Sequence, residues 1–140
     1  RLSAETEQIV GKGLHDGAAV MADQIKAGIA GIRTDGPSDW ERQRREKQKA
    51  GLSESFGIAR MQNDGGFLNV KMGFDGYNSV TTPKYPTGQP NVMVARMFNS
   101  GTSSMSKQAF FDQAVNASRA AAKNTAVQKI EQEFEKINKE

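Results

Sequence analysis

Cysteine is absent from the 140 residues, which excludes a disulfide framework and every thiolate metal site and suits a reducing compartment. Histidine occurs once, at His15, so neither a Cys–His pair nor a multi-histidine metal site can be built within one subunit. No apolar run approaches the ~20 residues of a membrane span, so no membrane association is expected. There is no G-x-x-x-x-G-K-[ST] phosphate loop, and the glycines of "GKGLHDG" (11–17) lack the preceding strand that a dinucleotide site needs. The carboxylate pairs Asp16/Asp23, Glu41/Glu46 and Glu131/Glu135 all lie in polar contexts, where solvated faces are the default. These absences leave no catalytic, cofactor-binding or metal-ligating set to nominate, and a non-enzymatic role is expected.

The length suits a single domain over 1–140 with a modest core. Residues 3–33 read as a helix, because Leu14, Ala18, Met21, Ile25, Ile29 and Ile32 recur at steps of three or four and stack on one face. Ser3 and Glu7 stand one residue too far apart for a capping box. "TDGPSD" (34–39) ends the helix, since Gly36 and Pro37 are unsuited to helical continuation.

The run "WERQRREKQKAG" (40–51) is the most polar part of the chain. Arg42, Arg44, Arg45, Lys47 and Lys49 against Glu41 and Glu46 give it the whole chain's formal excess of +3. Residues 34–49 are therefore expected as a basic arm, loop or short helix facing a partner or nucleic acid. Aromatic interleaving, the mark of base stacking, is limited to Trp40.

Strand-like segments follow. Phe67, Asn69, Lys71 and Gly73 alternate with Leu68, Val70, Met72 and Phe74, and "NDGG" (63–66) supplies the residues that a hairpin turn needs. Residues 77–90 hold three of the four prolines and read as an extended loop, mobile or engaged with a partner. "NVMVARMF" (91–98) suits a third strand or a short helix equally. A long helix is expected from about Ser106 to Asn138, with Phe110, Ala114, Ala117 and Ala121 on one face early and Ile130, Phe134 and Ile137 on one face late. Its alanine-rich middle would let another backbone approach closely. The predicted class is α+β, with long amino- and carboxy-terminal helices packed on a small antiparallel sheet.

Within "SGTSSMSKQAFF" (100–111), Ser104 and Lys107 have the S-x-x-K spacing of some acyl-transfer enzymes. Those enzymes need further motifs and a larger domain. The plain reading is a hydroxyl-rich joint, with Ser104 or Ser106 capping the helix that follows.

The order of parts resembles the tail-component, or head–tail joining, family of long-tailed bacteriophages, the neck or tail completion proteins. An amphipathic helix is followed by a "tG-L-x-x-S" segment opening a strand, here "AGLSESFGI" (50–58), then by a hairpin. A segment ending in "E-F-G-T-S" then leads into a long helix, here "ARMFNSGTSSMSKQAFFDQAV" (95–115). The likeness runs over roughly residues 10 to 138. Asn99-Ser100 replaces the family's Glu-Phe, and Ala109 replaces the usual proline before the phenylalanine.

The resemblance implies a structural virion protein of the neck, assembled in the host cytoplasm. It would form a homo-oligomeric ring, usually of six subunits, between the head-closure ring and the tail terminator or tail tube. Phage DNA would pass through its channel without sequence-specific binding. On that footing Arg42, Arg44, Arg45, Lys47, Lys49, Tyr85, Gly101, Thr102 and Phe110 are expected at subunit or ring contacts. A tail terminator ring is the nearest alternative, and a small basic nucleic-acid-binding module is the alternative of another class.

Overall fold

A computed structural model describes residues 3–138. Its architecture is α+β: α1 (Ala4–Ala30), α2 (Asp39–Ser55), β1 (Phe56–Ile58), β2 (Gln62–Asp64), β3 (Phe67–Asn69), β4 (Met72–Phe74), α3 (Asn91–Ser100) and α4 (Phe110–Asn138). The long terminal helices and small antiparallel sheets match the class expected from sequence.

Ser3 caps α1, its side chain accepting from the Thr6 N–H, without the reciprocal glutamate of a capping box. The helix buries Ile9, Gly13, Gly17, Ala22, Ile25 and Ile29, while Leu14, Ala18 and Met21 are only half-buried. In its amino-terminal half the buried stripe is thus rotated from the large apolar residues toward the small ones. The cause is α4, which runs antiparallel along α1 from Lys12 to Gly28, about 25 Å. A Cβ on Gly17 would lie 2.6 Å from the Ala122 carbonyl oxygen, and one on Gly13 would lie 2.5 Å from Ile130 Cγ1. At the other end a Cβ on Gly28 would lie 3.0 Å from the Phe110 carbonyl. Gly13 and Gly17 of "GKGLHDG" are the seat of a close helix contact, while Gly11 faces Met61.

The basic segment is a 17-residue helix, not a loop, capped by Ser38, whose hydroxyl accepts from the Glu41 N–H. It extends through "GLSES", the stretch expected to open a strand, and β1 begins only at Phe56. Four short strands then form one bent ribbon. β1 pairs antiparallel with β4 (Phe56↔Phe74, Gly57↔Gly73, Ile58↔Met72), and β2 pairs with β3 (Asp64↔Phe67). Gly65 and Gly66, with φ of 63° and 93°, make the two-residue turn at the tip, as the sequence predicts. Leu68, Val70, Met72 and Phe74 are half-buried, whereas Phe67, Lys71 and Gly73 are exposed.

Residues 77–90 have no regular secondary structure yet close on themselves. The Asn78 N–H donates to Gln89 O at 2.6 Å, and the Gln89 N–H donates to Val80 O at 2.9 Å. Buried Asn78 donates its side-chain amide to Gln48 O and Asn91 Oδ1, and buried Gln48 donates to Gln89 Oε1 at 2.8 Å. Four buried amides therefore clamp the loop between α2 and α3. Gly51 makes room for them, since a Cβ there would lie 2.3 Å from Asn78 Nδ2.

Residues 91–98 are helical in α3, and Val94, Ala95 and Phe98 face inward. The core joins them to Ala22, Ile25, Ile29 and Ile32 of the α1 region, Leu52 of α2, Phe56 of β1, and Phe110 and Ala114 of α4. Helices supply most of this core, and the ribbon closes one side of it.

Candidate assembly surface

The five cations of α2 divide into two groups. α1 has no basic residue in its last turn, and Lys49 supplies that charge from α2. Its ammonium donates to Ala30 O at 2.9 Å and Ile32 O at 3.0 Å, where the unpaired carbonyls and helix dipole favour a cation. Arg45 donates to the Asp35 carbonyl, and Arg42 donates to Gly36 O and to the Asp39 carboxylate. Lys49, Arg45 and Arg42 thus hold the α1–α2 connection, which corrects the expectation of five outward-facing contacts. Lys47 is exposed, and Arg44 lies with its guanidinium carbon 5.3 Å from the Trp40 ring centroid. Trp40 is itself 65 % exposed.

The joint between α3 and α4 also differs from expectation. Gly101, at φ 79°, turns the chain out of α3, and a Cβ there would meet Lys107 N at 2.8 Å. Residues 102–109 fold back, with Thr102 and Met105 exchanging backbone hydrogen bonds and Gln108 N donating to Phe98 O. Gln108 clasps the end of α1 with its side-chain amide, accepting from Arg33 N and donating to Arg33 O. α4 begins at Phe110, four residues later than predicted, because this return segment occupies 106–109.

Neither Ser104 nor Ser106 caps α4. Asn99 of α3 does so, its Oδ1 accepting from the Phe111 and Asp112 N–H groups at 3.1 Å. Ser104 is exposed and its hydroxyl lies 3.4 Å from Thr102 Oγ1, with no hydrogen bond to Lys107 among the described residues.

Several expected contact residues therefore have internal roles. Phe110 is buried in the core, edge-on to Phe74 and Phe111. Gly101 is a backbone corner. Tyr85 is half-buried within its own loop, its N–H donating to Thr82 Oγ1 and its ring 5.6 Å from the Lys84 ammonium. Tyr77, rather than Tyr85, is that loop's outward aromatic.

Arg44, Arg45 and Thr102 do come together. They line a cleft of about 190 Å³ between α2 and the 102–105 turn, along with Trp40, Ser104 and Met105. A tryptophan, two guanidinium groups, two hydroxyls and a thioether meet there beside the Glu41 carboxylate, a lining that can receive a polar segment of mixed charge. Sequence carried one signal for this patch: the i, i+4 spacing of Trp40 and Arg44 on a helix. Gly13 and Gly17 stand at the same four-residue step, a spacing that places both on the helix face toward α4.

On the far side, α1 and α4 are joined by ion pairs around Glu133. Lys12, Lys129 and Lys136 place their ammonium groups 3.4, 3.4 and 3.5 Å from its carboxylate. Burial works to raise the pKa of Glu133, and the ammonium groups of Lys12, Lys136 and Lys129 outweigh it, holding the group below its ordinary value of 4.5.

Among the described residues no cluster of three or more potential metal ligands occurs, and no helix is long and apolar enough to cross a membrane. Comparison of the chain with protein families, with curated proteins and with solved structures returns no match.

Proposed function

We propose that the chain is a structural component of a phage neck, a ring subunit that joins the head-closure complex to the tail around the DNA passage. The observation that carries the reading is the placement of the "GTSSM" turn. The segment on which the resemblance rests stands beside exposed Trp40 and half-buried Arg44, residue types that dominate protein–protein contacts when they are desolvated. Exposed Phe67, Val92, Val127, Phe134 and Ile137 add apolar surface that neighbouring subunits would cover. The nucleic-acid alternative is weakened, because three of the five α2 cations are spent on groups within the chain.

The test is a joining assay. Particles assembled without the chain should accumulate as DNA-filled heads and separate tails, and adding the purified protein should join them. Trp40→Ala with Arg44→Glu should abolish joining while circular dichroism stays unchanged. Normal particles formed without the chain would refute the proposal.

A further inference from the structure

The ribbon carries a knob and a hole that its own chain cannot join. Phe67 is the knob: it is 70 % exposed at the hairpin tip and projects from the outer face of the ribbon. Asp64 stands directly across the ladder from it, on the same face. Among the described residues Asp64 is met by the exposed Lys71 ammonium at 3.8 Å and the Asn69 amide at 3.0 Å.

The hole lies at the other end of the ribbon. A groove of about 290 Å³ runs between β4 and α3, lined by Met72, Phe74, Val92, Ala95 and Phe111, with Arg96 on its rim. Cavities of roughly 150 Å³ already take a benzene ring, so a phenyl side chain fits. Val92 is exposed although apolar, and Arg96 has no ion-pair partner among the described residues.

The edge of β4 along this groove is open. Asp75 N donates to Ser55 O and Ala59 N to Lys71 O, so odd-numbered residues of β4 face β1. Met72 and Phe74 direct their N–H and C=O groups the other way, into the groove. Among the described residues nothing pairs with them, and an unpaired edge invites an incoming strand.

We propose that the hairpin tip of one copy docks in the β4–α3 groove of the next. The Phe67 ring would lie on Met72, Phe74, Val92 and Phe111, and the Asp64 carboxylate on the Arg96 guanidinium. Charge and shape both select this occupant. A carboxylate beside an aromatic meets a guanidinium beside an apolar groove. Phe67 is 70 % exposed and is not among the residues lining the groove, so the tip does not fill the groove of its own chain. Knob and hole on different surfaces give a head-to-tail contact, which closes into a ring when the rotation permits. The inference rests on the multi-copy reading above and names its subunit contact.

The test places photoreactive benzoylphenylalanine at position 67, which keeps an aromatic ring there, in a mixture of isotope-labelled and unlabelled chains. The expected product joins 67 of one chain to residues 72–74, 92–96 or 111 of another. Val92→Glu should cut its yield roughly tenfold or more. Asp64→Arg should do likewise, and Arg96→Asp in the same chain should restore it. Products confined to one chain, mapped to α1 or to α4 beyond residue 111, or indifferent to Val92→Glu would overturn the contact. A neck ring without this cross-link would sink the contact alone; a specific cross-link in a chain absent from particles would sink the neck reading alone.

Discussion

Gly17 has no space for a side chain, and its neighbour across the gap is backbone, which cannot swing aside. Gly17→Ala should therefore destabilise the fold by about 1–3 kcal/mol, read as a lower midpoint in chemical denaturation. Gly57→Ala is the control, because nothing lies within 4 Å of a Cβ there, and it should leave the midpoint within about 0.5 kcal/mol of wild type. Asn99 is a second residue whose small side chain carries much. Asn99→Ala removes the acceptor for two N–H groups at the start of α4 and should cost about 1–2 kcal/mol, whereas Ser104→Ala should be silent. Sequence reading placed that cap on the nearby serines because capping is normally local. Here the cap reaches across eleven residues, a relation that only the folded return segment creates. Ala109 at φ 49° belongs to the same turn. A proline, fixed near −65°, could not occupy that backbone.

At the scale of elements, α2 is where charge was legible and its use was not. The run of cations could be counted, but their acceptors are carbonyls at the end of α1 and in the 35–36 turn, distant in sequence. Lys49→Met should lower stability by about 1 kcal/mol, while Lys47→Met should not; thermal unfolding of the two variants separates them. The α1–α4 pair has its own pH dependence. Glu133 is held below the ordinary carboxylate range in the folded chain, so its contribution is fully present above pH 4.5 and is lost as pH falls through the lowered folded value. Glu133→Gln should therefore flatten the loss of stability on acidification below that range, measured as midpoint against pH. The hairpin was the most legible element, because strict alternation and a glycine pair specify strand and turn locally. α3 was ambiguous because eight residues carry too little periodicity, and Val94, Ala95 and Phe98 commit to a helix only against α1, α2 and α4.

For the whole molecule, the α+β class followed from two long periodic segments around a strand pair. The core did not, since the helices pack mainly on one another at glycines and alanines rather than covering the sheet. The candidate surface was half legible. Arg44 and Thr102 meet in one cleft, Lys47 remains exposed, and Phe110, Gly101 and Tyr85 are held within the fold. What is left outside includes single apolar and aromatic side chains on α2, α3, α4 and the hairpin tip. A subunit with neighbours on several sides has a use for all of them. Electron microscopy of phage particles containing the chain tests this most directly. The account predicts density that fits this fold, repeated in a closed ring between capsid and tail with the α2 cleft against an adjoining ring. A chain that stays monomeric and is never found in particles would contradict it.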